Sequence, residues 1–322
     1  MKQKILIIGS LNMDISVEMR KMPSVGETVL GDSLLFTPGG KGANQACAAA
    51  KLCGDASVLG CVGDDDFGRL QKKSLEKAGV DVTHLKIDAQ RPTGTAIIFV
   101  NEEGNNSIVV IPGANQGCDV AYLKENDSLF QSSSILLLQM EIPLESIYYS
   151  IRRAHELGKR VILNPAPAPG SLPDDIWGML EYITPNETEL ERLSGRPVYT
   201  VEDMLSAAQT LLSRGVKNVM VTIGKRGVLL VNAAGAVIHP TTDLKPVDTT
   251  AAGDTMNGAF LVALSEGKSE EEAIRFGNVA SSISVTRKGA QESIPMREET
   301  DTLFENFLPT PINLITQDEA YK

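Results

Sequence analysis

Apolar residues along the chain form short continuous runs that alternate with stretches of helical spacing. The short runs predict strands buried on both faces, at 4–9, 57–62, 134–139, 160–164, 182–184 and 218–223. Between them, apolar residues recur every three to four positions and predict helices at about 42–53, 67–78, 144–157, 200–214, 254–266 and 269–286. This alternation is typical of an α/β fold with a doubly wound, mainly parallel sheet.

Two segments, 15–37 and 94–112, lack the helical period. The second is a predicted hairpin of two β-rich runs around NEEGNN. We predict that both form a small separate β-sheet, which serves as a lid over a cleft; ordinary surface hairpins on the main sheet are the alternative. The chain is then one α/β domain over 1–310 with this lid inserted, followed by a peripheral tail at 311–322.

Composition and charge narrow the class of protein. The 322 residues are 42% hydrophobic and 22% charged, with a net charge of −11. This charge argues against nucleic-acid and anionic-membrane partners, and no run approaches the roughly 20 apolar residues of a membrane span. The four cysteines form no C-x-x-C pair and the three histidines are scattered. We therefore expect neither a zinc site nor a disulfide framework, and a cytoplasmic location.

A glycine-rich stretch, TPGGKGANQACAAAKL (37–52), precedes a helix of small residues. It is not a Walker phosphate loop, because no G-x-x-x-x-G-K-[ST] occurs, and Gln45 replaces the third glycine of a Rossmann fingerprint. Three glycines with Lys41 and Asn44 at a helix start indicate a polyol or anion site. The alternative is a structural turn before a well-packed helix.

Polar residues follow several predicted strands, where ligands bind in open α/β sheets. Asn12 and Asp14 in GSLNMD point the same way if the first strand continues, and could hydrogen-bond vicinal hydroxyls; strand-end turn chemistry is the alternative. Asn186 and Glu189 in PNETEL fit a capping box, or an Mg²⁺ site through waters. Thr222 and the GKRG turn (224–227) border a nucleotide or form a plain hairpin turn.

The stretch VDTTAAGDTMNGAF (247–260) places small residues and one carboxylate at a helix start. Ala251, Ala252 and Gly253 leave the N–H groups of that helix open, which suits the charge on a transferring phosphoryl group. Asp254 beside them could accept a proton from an attacking hydroxyl. The alternative is an aspartate N-cap.

Together, GGKGANQACAAAKLCG and DTTAAGDTMNGAF resemble the two signatures of the ribokinase-like, or PfkB, family of carbohydrate kinases. The likeness runs from Ile5 to about Pro295 and includes GSLNMD, GDDDFG, LNPAPA, TPNETE and VTRKGAQES. It implies a ribokinase-like fold. It also implies ATP-dependent phosphorylation of D-ribose to D-ribose 5-phosphate, by direct in-line transfer with an aspartate base.

The resemblance also implies a role for each matching residue. Asp254 would be the base, and the amides of Ala251 to Gly253 the anion hole. The sugar would be held by Asp254 together with Asn12, Asp14, Gly40, Lys41, Asn44 and Glu141. The nucleotide would be surrounded by Thr222, Gly224, Lys225, Arg226, Gly227, Gly253 and Asn278, with Asn186 and Glu189 near its phosphates and Glu189 holding Mg²⁺ through water. A monovalent cation would be held, mostly by backbone carbonyls, at Asp248, Thr250, Ser284, Arg287, Gly289 and Ser293.

The implied ligands are ATP as co-substrate, Mg²⁺, and K⁺ as activator, and the implied assembly is a homodimer through the lid. Rival interpretations are a kinase for another sugar, such as 2-deoxyribose or fructose, or for a nucleoside. The lid has few aromatic rings for a base, chiefly Phe36 and Phe99, which favours a bare sugar. A non-catalytic sensor is disfavoured, because Asp254 and its small-residue cradle are intact.

Overall fold

The computed structural model describes residues 3–315. Their strands are β1 (Lys4–Ile8), β2 (Asn12–Met19), β3 (Ser33–Gly39), β4 (Asp55–Leu59), β5 (Cys61–Gly63), β6 (Lys86–Asp88), β7 (Gly94–Asn101), β8 (Asn106–Ile111), β9 (Ile135–Leu138), β10 (Arg160–Leu163), β11 (Tyr182–Ile183), β12 (Asn218–Thr222), β13 (Val228–Asn232), β14 (Gly235–His239) and β15 (Ile312–Ile315). Their α-helices are α1 (Lys41–Lys51), α2 (Asp66–Ala78), α3 (Val120–Glu125), α4 (Asp127–Ser132), α5 (Leu144–Glu156), α6 (Glu187–Ser194), α7 (Val201–Ser213), α8 (Ala252–Ser265), α9 (Glu270–Ser284) and α10 (Arg297–Asn306).

The main sheet has the strand order β15-β14-β13-β12-β11-β10-β9-β1-β4. The strands from β4 to β12 run parallel, whereas β13, β14 and β15 are antiparallel to their neighbours. Successive side chains of a strand enter opposite faces. Ile5 and Ile7 of β1 accordingly join one buried cluster, and Leu6 and Ile8 join another. The predicted doubly wound, mainly parallel sheet is therefore confirmed.

Helices bury each of these clusters. On one face, Ala46 of α1, Phe260 of α8 and Phe276 of α9 pack over the sheet. On the other, Ile147 of α5 and Met204 of α7 do so. The alanine-rich sequence of α1 lets it lie close to α8, so the two glycine-rich motifs of the sequence meet at neighbouring helix starts.

The predicted helices all occur, with bounds within two residues, and five of the six predicted strands within one. The exception is the strand predicted over 57–62, which ends at Leu59 and restarts as β5 beside β6. Gly60 lies at the break, and its N–H donates to the hydroxyl of Tyr122 instead of to a strand. The short helices α3, α4 and α10 carry too few turns for a clear apolar period.

The segments without a helical period form a sheet of their own, in the order β3-β2-β7-β8. The alternative, hairpins on the main sheet, is therefore wrong. Asn12 and Asp14 begin β2 of this small sheet, so the first strand does not continue through them. They remain two residues apart on one strand and point the same way.

The C-terminal end of the described chain is part of the main sheet. Residues 312–315, predicted to belong to a peripheral tail, form β15 and pair antiparallel with β14. The predicted boundary after residue 310 is therefore wrong, and the tail residues 316–322 lie outside the described residues. Within 3–315, no helix has the length and apolarity needed to cross a membrane.

Helix α1 contacts the segment after β1 without any intervening side chain, and this makes Gly42 sensitive to substitution. A Cβ there would lie 2.6 Å from the carbonyl carbon of Gly9 and 2.8 Å from the nitrogen of Ser10. Because both neighbours are backbone, we expect Gly42→Ala to lower the free energy of unfolding by about 1–3 kcal/mol. Urea denaturation measures this. In the control Gly170→Ala the added Cβ meets open space, and equal effects of the two changes would contradict the packing argument.

Candidate active site

Three adjoining cavities lie at the carboxyl ends of the parallel strands. The outer cavity, about 380 Å³, lies between the β12–β13 turn and the start of α8. The central cavity, about 280 Å³, contains Lys41, Glu189 and Asp254. The inner cavity, also about 280 Å³, lies under the small sheet and shares Lys41 and Asp254 with the central one. The central cavity shares lining residues with each of the other two, so the three form one groove from the β12–β13 turn to the small sheet.

The inner cavity gathers every residue that the resemblance assigns to the sugar. Its lining includes Asn12, Asp14, Gly40, Lys41, Asn44, Glu141 and Asp254. Its roof is largely apolar and comes from the small sheet, through Ala96, Ile98, Ile108 and Val110, with Asn106 as a polar member. The sequence analysis did not assign these roof residues, because β8 is apolar at four successive positions, 108–111, and so shows no alternation that would mark one face.

Asp14 and Lys41 carry the strongest electrostatic perturbation in the inner cavity. Burial, together with the negative charges of Glu141 and Asp254, raises the pKa of Asp14 to about 7. Burial alone would lower the pKa of Lys41, but surrounding carboxylates, with Asp254 and Glu141 the strongest, raise it above its usual value. Lys41 is thus a charged ammonium among several acids, whereas Asp14 changes its protonation near neutral pH.

Asn12 is oriented by a buried residue that the sequence analysis did not identify. The Nδ2 of Asn115 donates to the Oδ1 of Asn12 over 2.7 Å, and its Oδ1 accepts the N–H of Leu11. The Asn12 oxygen is therefore occupied, and its NH₂ group is the part that can donate to a ligand. Asn115 lies in a single 3₁₀ turn after β8, where no sequence pattern connects it with residue 12.

Glu141 is held at the same end of the sheet, three residues after β9. Its Oε2 accepts the hydroxyl of Ser10 over 2.5 Å and the N–H of Lys41 over 3.4 Å. Ser10 follows β1, and Lys41 begins α1, whose Ala43 N–H donates to the carbonyl of Ser10. The contact between these two segments brings both donors to Glu141, although they lie 131 and 100 positions from it in the chain. A carboxylate held in this way keeps further lone pairs for hydroxyl groups in the cavity.

Asp254 lies in the first turn of α8 and is almost fully buried. Its Oδ2 accepts the Nδ2 of Asn44 over 3.0 Å, and its Oδ1 accepts the Nε2 of Gln45 over 2.9 Å. The N-cap of α8 is Ala251, without a side-chain hydrogen bond. The capping alternative for Asp254 is therefore wrong, and its carboxylate faces the inner and central cavities instead.

The start of α8 has an unusual backbone. Ala251 has φ of 58°, in the left-handed region that non-glycine residues rarely adopt. The N–H of Ala252 donates to the carbonyl of Thr249 over 3.2 Å, so this amide of the predicted anion hole already has a partner. Gly253 borders both outer and central cavities, and no atom lies within 4 Å of where its Cβ would be. The first helical turn thus offers an open anion site.

Asn186 and Glu189 line the central cavity at the start of α6. They form the predicted capping box: the Oδ1 of Asn186 accepts the N–H of Glu189, and the Oε2 of Glu189 accepts the N–H of Asn186. Burial raises the pKa of Glu189. The cap occupies one oxygen of each side chain, so the second carboxylate oxygen of Glu189 remains for a ligand.

The outer cavity brings together most residues assigned to the nucleotide. Its lining includes Asn186, Thr222, Gly224, Lys225, Gly227, Gly253 and Asn278. Arg226 is not part of this lining, although its guanidinium pairs with Glu187, which is, over 2.7 Å. The sequence analysis missed the apolar wall, formed by Val228, Leu244, Met256 and Val285. A flat apolar wall beside a few polar groups suits a heterocyclic base.

Two loops meet where the resemblance implies a monovalent cation. The carboxylate of Asp248 accepts the N–H of Thr250 and the N–H of Gly289, both over 2.9 Å. Burial would raise the pKa of Asp248, but these hydrogen bonds lower it below its usual value. Ser284 and Ser293 lie within five residues of Gly289 in the sequence, and both are buried. The side chain of Arg287 pairs with Glu299.

The sequence and structure are similar to those of known proteins. The model of the pfkB family of carbohydrate kinases matches residues 2–297. A ribokinase of Haemophilus influenzae is 40% identical over 300 residues, which cover 93% of this chain and 98% of that protein. A deoxyribokinase of Salmonella typhi is 36% identical, over 92% and 96% of the two chains.

A solved structure of Arabidopsis thaliana ribokinase, complexed with ribose and ATP, has a TM-score of 0.88 and 33% identity. The match covers 95% of this chain and 99% of that one. The family match and these relatives extend over nearly the whole chain, including both glycine-rich motifs and the residues of the groove. The protein therefore belongs to the pfkB family of carbohydrate kinases.

Proposed function

We propose that the protein transfers the γ-phosphoryl group of ATP to D-ribose and forms D-ribose 5-phosphate. One observation carries this proposal: the Asp254 carboxylate lies where the inner and central cavities meet, beside the open first turn of α8. A base and an anion site at one junction are what direct phosphoryl transfer to a hydroxyl requires. The names of relatives, ribokinases in Haemophilus influenzae and Arabidopsis thaliana, support the choice of sugar.

The inner cavity would hold the sugar. Its floor offers carboxylates from Asp14 and Glu141, amides from Asn12 and Asn44, and the ammonium of Lys41. Carboxylates accept and amides both accept and donate, so together they match a polyol with several hydroxyls. The apolar roof would exclude water from the transfer, which limits hydrolysis of ATP. Asp254 would accept the proton of the attacking hydroxyl.

The outer cavity would hold ATP, with its base against the apolar wall and its phosphates toward the central cavity. The first turn of α8 at Gly253 and the ammonium of Lys41 would stabilise charge on the transferring group. Mg²⁺ keeps most of its waters and binds through one or two carboxylates plus phosphates. Glu189, with one carboxylate oxygen outside its capping box, would hold it through water.

The test is the release of ADP from MgATP with D-ribose, 2-deoxy-D-ribose, D-fructose and adenosine, compared as kcat/KM. We expect the highest value with D-ribose. A higher value with 2-deoxy-D-ribose would favour the second candidate function, which the deoxyribokinase of Salmonella typhi suggests by its 36% identity. No turnover with any of the four, while ATP still binds, would contradict the kinase assignment and favour a sensor.

We also propose that K⁺ activates the enzyme from the junction of the 247–250 and 284–293 loops. Asp248 links the two loops and leads directly into the start of α8, so a cation there would order the anion site. We expect kcat to be about 5- to 100-fold higher in K⁺ than in tetramethylammonium at equal ionic strength. Equal rates in the two salts would contradict this site. Asp248→Asn should raise the K⁺ concentration needed for half-activation.

The small sheet supports the proposal of a homodimer. Its edge strands β3 and β8 expose apolar side chains, among them Leu34, Leu35 and Val109, each more than half exposed. An exposed apolar patch of this kind marks a contact surface. Light scattering of the purified protein measures the mass directly. We further propose a cytoplasmic location, in keeping with a substrate, ATP, that is made there and with cysteines that show no disulfide spacing.

A further inference from the structure

Both carboxylate oxygens of Asp254 are held by side-chain amides, but the two amides differ in position. Asn44, which holds Oδ2, lines the inner cavity. Gln45, which holds Oδ1 over 2.9 Å, is fully buried on the other side of the carboxylate and lines none of the three cavities of the groove. Gln45 therefore contacts the proposed base without reaching a substrate.

The orientation of the Gln45 amide follows from its other partners. The carbonyl of Thr184 can only accept, so Asn164 must donate to it with Nδ2, over 2.9 Å. The Oδ1 of Asn164 then accepts from the Nε2 of Gln45 over 3.1 Å. The Oε1 of Gln45 in turn accepts the Nε2 of Gln139 over 2.6 Å. A flipped Gln45 amide would place its oxygen against the Asp254 carboxylate and the Asn164 oxygen, with no proton between them.

Every hydrogen-bonding group of the Gln45 amide has a partner. Its two N–H bonds point at Asp254 and Asn164, and its oxygen is taken by Gln139. Gln45 and Gln139 are wholly inaccessible to solvent, and Asn164 nearly so. Three neutral amides from α1 and from the ends of β9 and β10 thus fix the plane of a carboxylate on α8. A rigid second layer of this kind places a catalytic group more accurately than the group's own backbone can.

We propose that Gln45 is a positioning residue for the reaction. It holds Oδ1 of Asp254, so that Oδ2 remains turned to the inner cavity, where the sugar hydroxyl would lie. The inference rests on the proposed function, because it assigns Asp254 as the base. A neutral amide suits this position, since a cation there would compete with Lys41 for the carboxylate.

The experiment compares Gln45→Met with Gln71→Met in steady-state assays with D-ribose and MgATP. Gln71 is equally buried and also donates two hydrogen bonds, to the carbonyls of Asn12 and Gly39. Both changes remove two donors of similar geometry, so both should destabilise the protein to a similar degree. Small displacements of a reacting group cost about 100-fold in rate. We expect Gln45→Met to lower kcat about 30- to 100-fold with KM for ribose within about threefold of the wild type.

Gln71→Met should leave kcat within about threefold of the wild type and change KM only, since its partners are backbone atoms near the sugar site. A purely structural role of Gln45 predicts that the two variants lose kcat equally. That result, or a kcat of Gln45→Met within about threefold of the wild type, would overturn the proposal.

Gln45→Glu supplies a second readout if the methionine variant does not fold. The introduced carboxyl can donate to Asp254 only when it is protonated, because two ionised carboxylates at this distance repel each other. We therefore expect the ratio of variant to wild-type kcat to rise as pH falls. The ratio cancels the pH dependence of kcat that the variant and the wild type share through Asp14, Lys41 and Glu189, which face Asp254 in the groove. A ratio independent of pH would contradict positioning through the Nε2 donor.

The same assays separate the two claims. Turnover by the wild-type protein addresses the proposed function, and the ratio between variants addresses Gln45. If the wild type prefers another sugar, the ratios are measured with that sugar and the positioning role is judged on them. A wild type that turns over no sugar would overturn both.

Discussion

Replacement of Asp254 by asparagine is expected to lower kcat by about 10²–10⁴-fold, the contribution of a positioned general base. The asparagine keeps the size of the side chain. Its one oxygen can accept from Gln45, and its NH₂ group can donate to Asn44 once the Asn44 amide is flipped. It cannot take a proton from the sugar hydroxyl. The loss should therefore fall on kcat, whereas binding of sugar and ATP should change little.

Calorimetric titration of the variant with ribose and with an unreactive ATP analogue tests the second half of this expectation. Asp55→Asn is the matched control, because Asp55 is exposed at the start of β4, at the opposite edge of the sheet from the groove. It should keep wild-type kcat. Turnover by Asp254→Asn close to that of the control would remove Asp254 from the role of base.

Asp14→Ala is expected to raise KM for the sugar by about 10- to 150-fold, with a smaller change in kcat. The reason is the loss of a buried carboxylate that accepts hydrogen bonds from sugar hydroxyls, each such charge-assisted bond contributing about 1.5–3 kcal/mol. Asp14 lines the inner cavity but not the central one, so its contact would be with the sugar and not with the transferring phosphoryl group.

The affinity for sugar should also depend on pH through Asp14. Burial and the neighbouring Glu141 and Asp254 raise its pKa to about 7 in the free protein, against the opposing effect of Lys41. Its ionised fraction then rises from about one tenth at pH 6 to about nine tenths at pH 8. Sugar hydroxyls donate to the ionised form, so binding favours it, and KM should fall as pH rises through 7.

Initial rates between pH 6 and 8 measure this dependence. In Asp14→Asn the carboxylate is replaced by an amide of the same shape that does not titrate, so KM should be higher than in the wild type and flat across the range. A wild-type KM independent of pH would contradict the role of Asp14. So would an unchanged slope in the variant, which would assign the dependence to another group.

Much of the fold could be predicted from the sequence, because the signals involved are local. Runs of apolar residues of strand length and apolar periods of helix length depend only on neighbours in the chain. The helices that cover the sheet could therefore be placed to within two residues. The prediction failed at two places where the local sequence pattern gives no signal. One is Gly60, whose N–H donates to the hydroxyl of Tyr122 at the end of β4, and the other is β15, which pairs with the distant β14.

The candidate site was predictable to a similar extent. The motifs around Lys41 and Asp254 are each compact, and their resemblance to one family supplied the roles. Local chemistry could not decide between alternatives, however. Asparagine and aspartate both favour helix N-caps, so residue type cannot show that Asn186 caps a helix and Asp254 does not. The hydrogen bonds of the folded protein decide this.

By itself, the sequence of this protein determined the α/β class, the second small sheet and the residues that we propose for phosphoryl transfer. Only the tertiary structure showed which other residues hold these site residues in position through hydrogen bonds. Gln45 and Asp254 are 209 positions apart, and Asn115 and Asn12 are 103 apart. Such pairs meet because the small sheet and the starts of α1 and α8 lie together at the carboxyl ends of the parallel strands. Apolar periods along the sequence do not predict these contacts, because the contacts depend on how strands and helices are arranged in space.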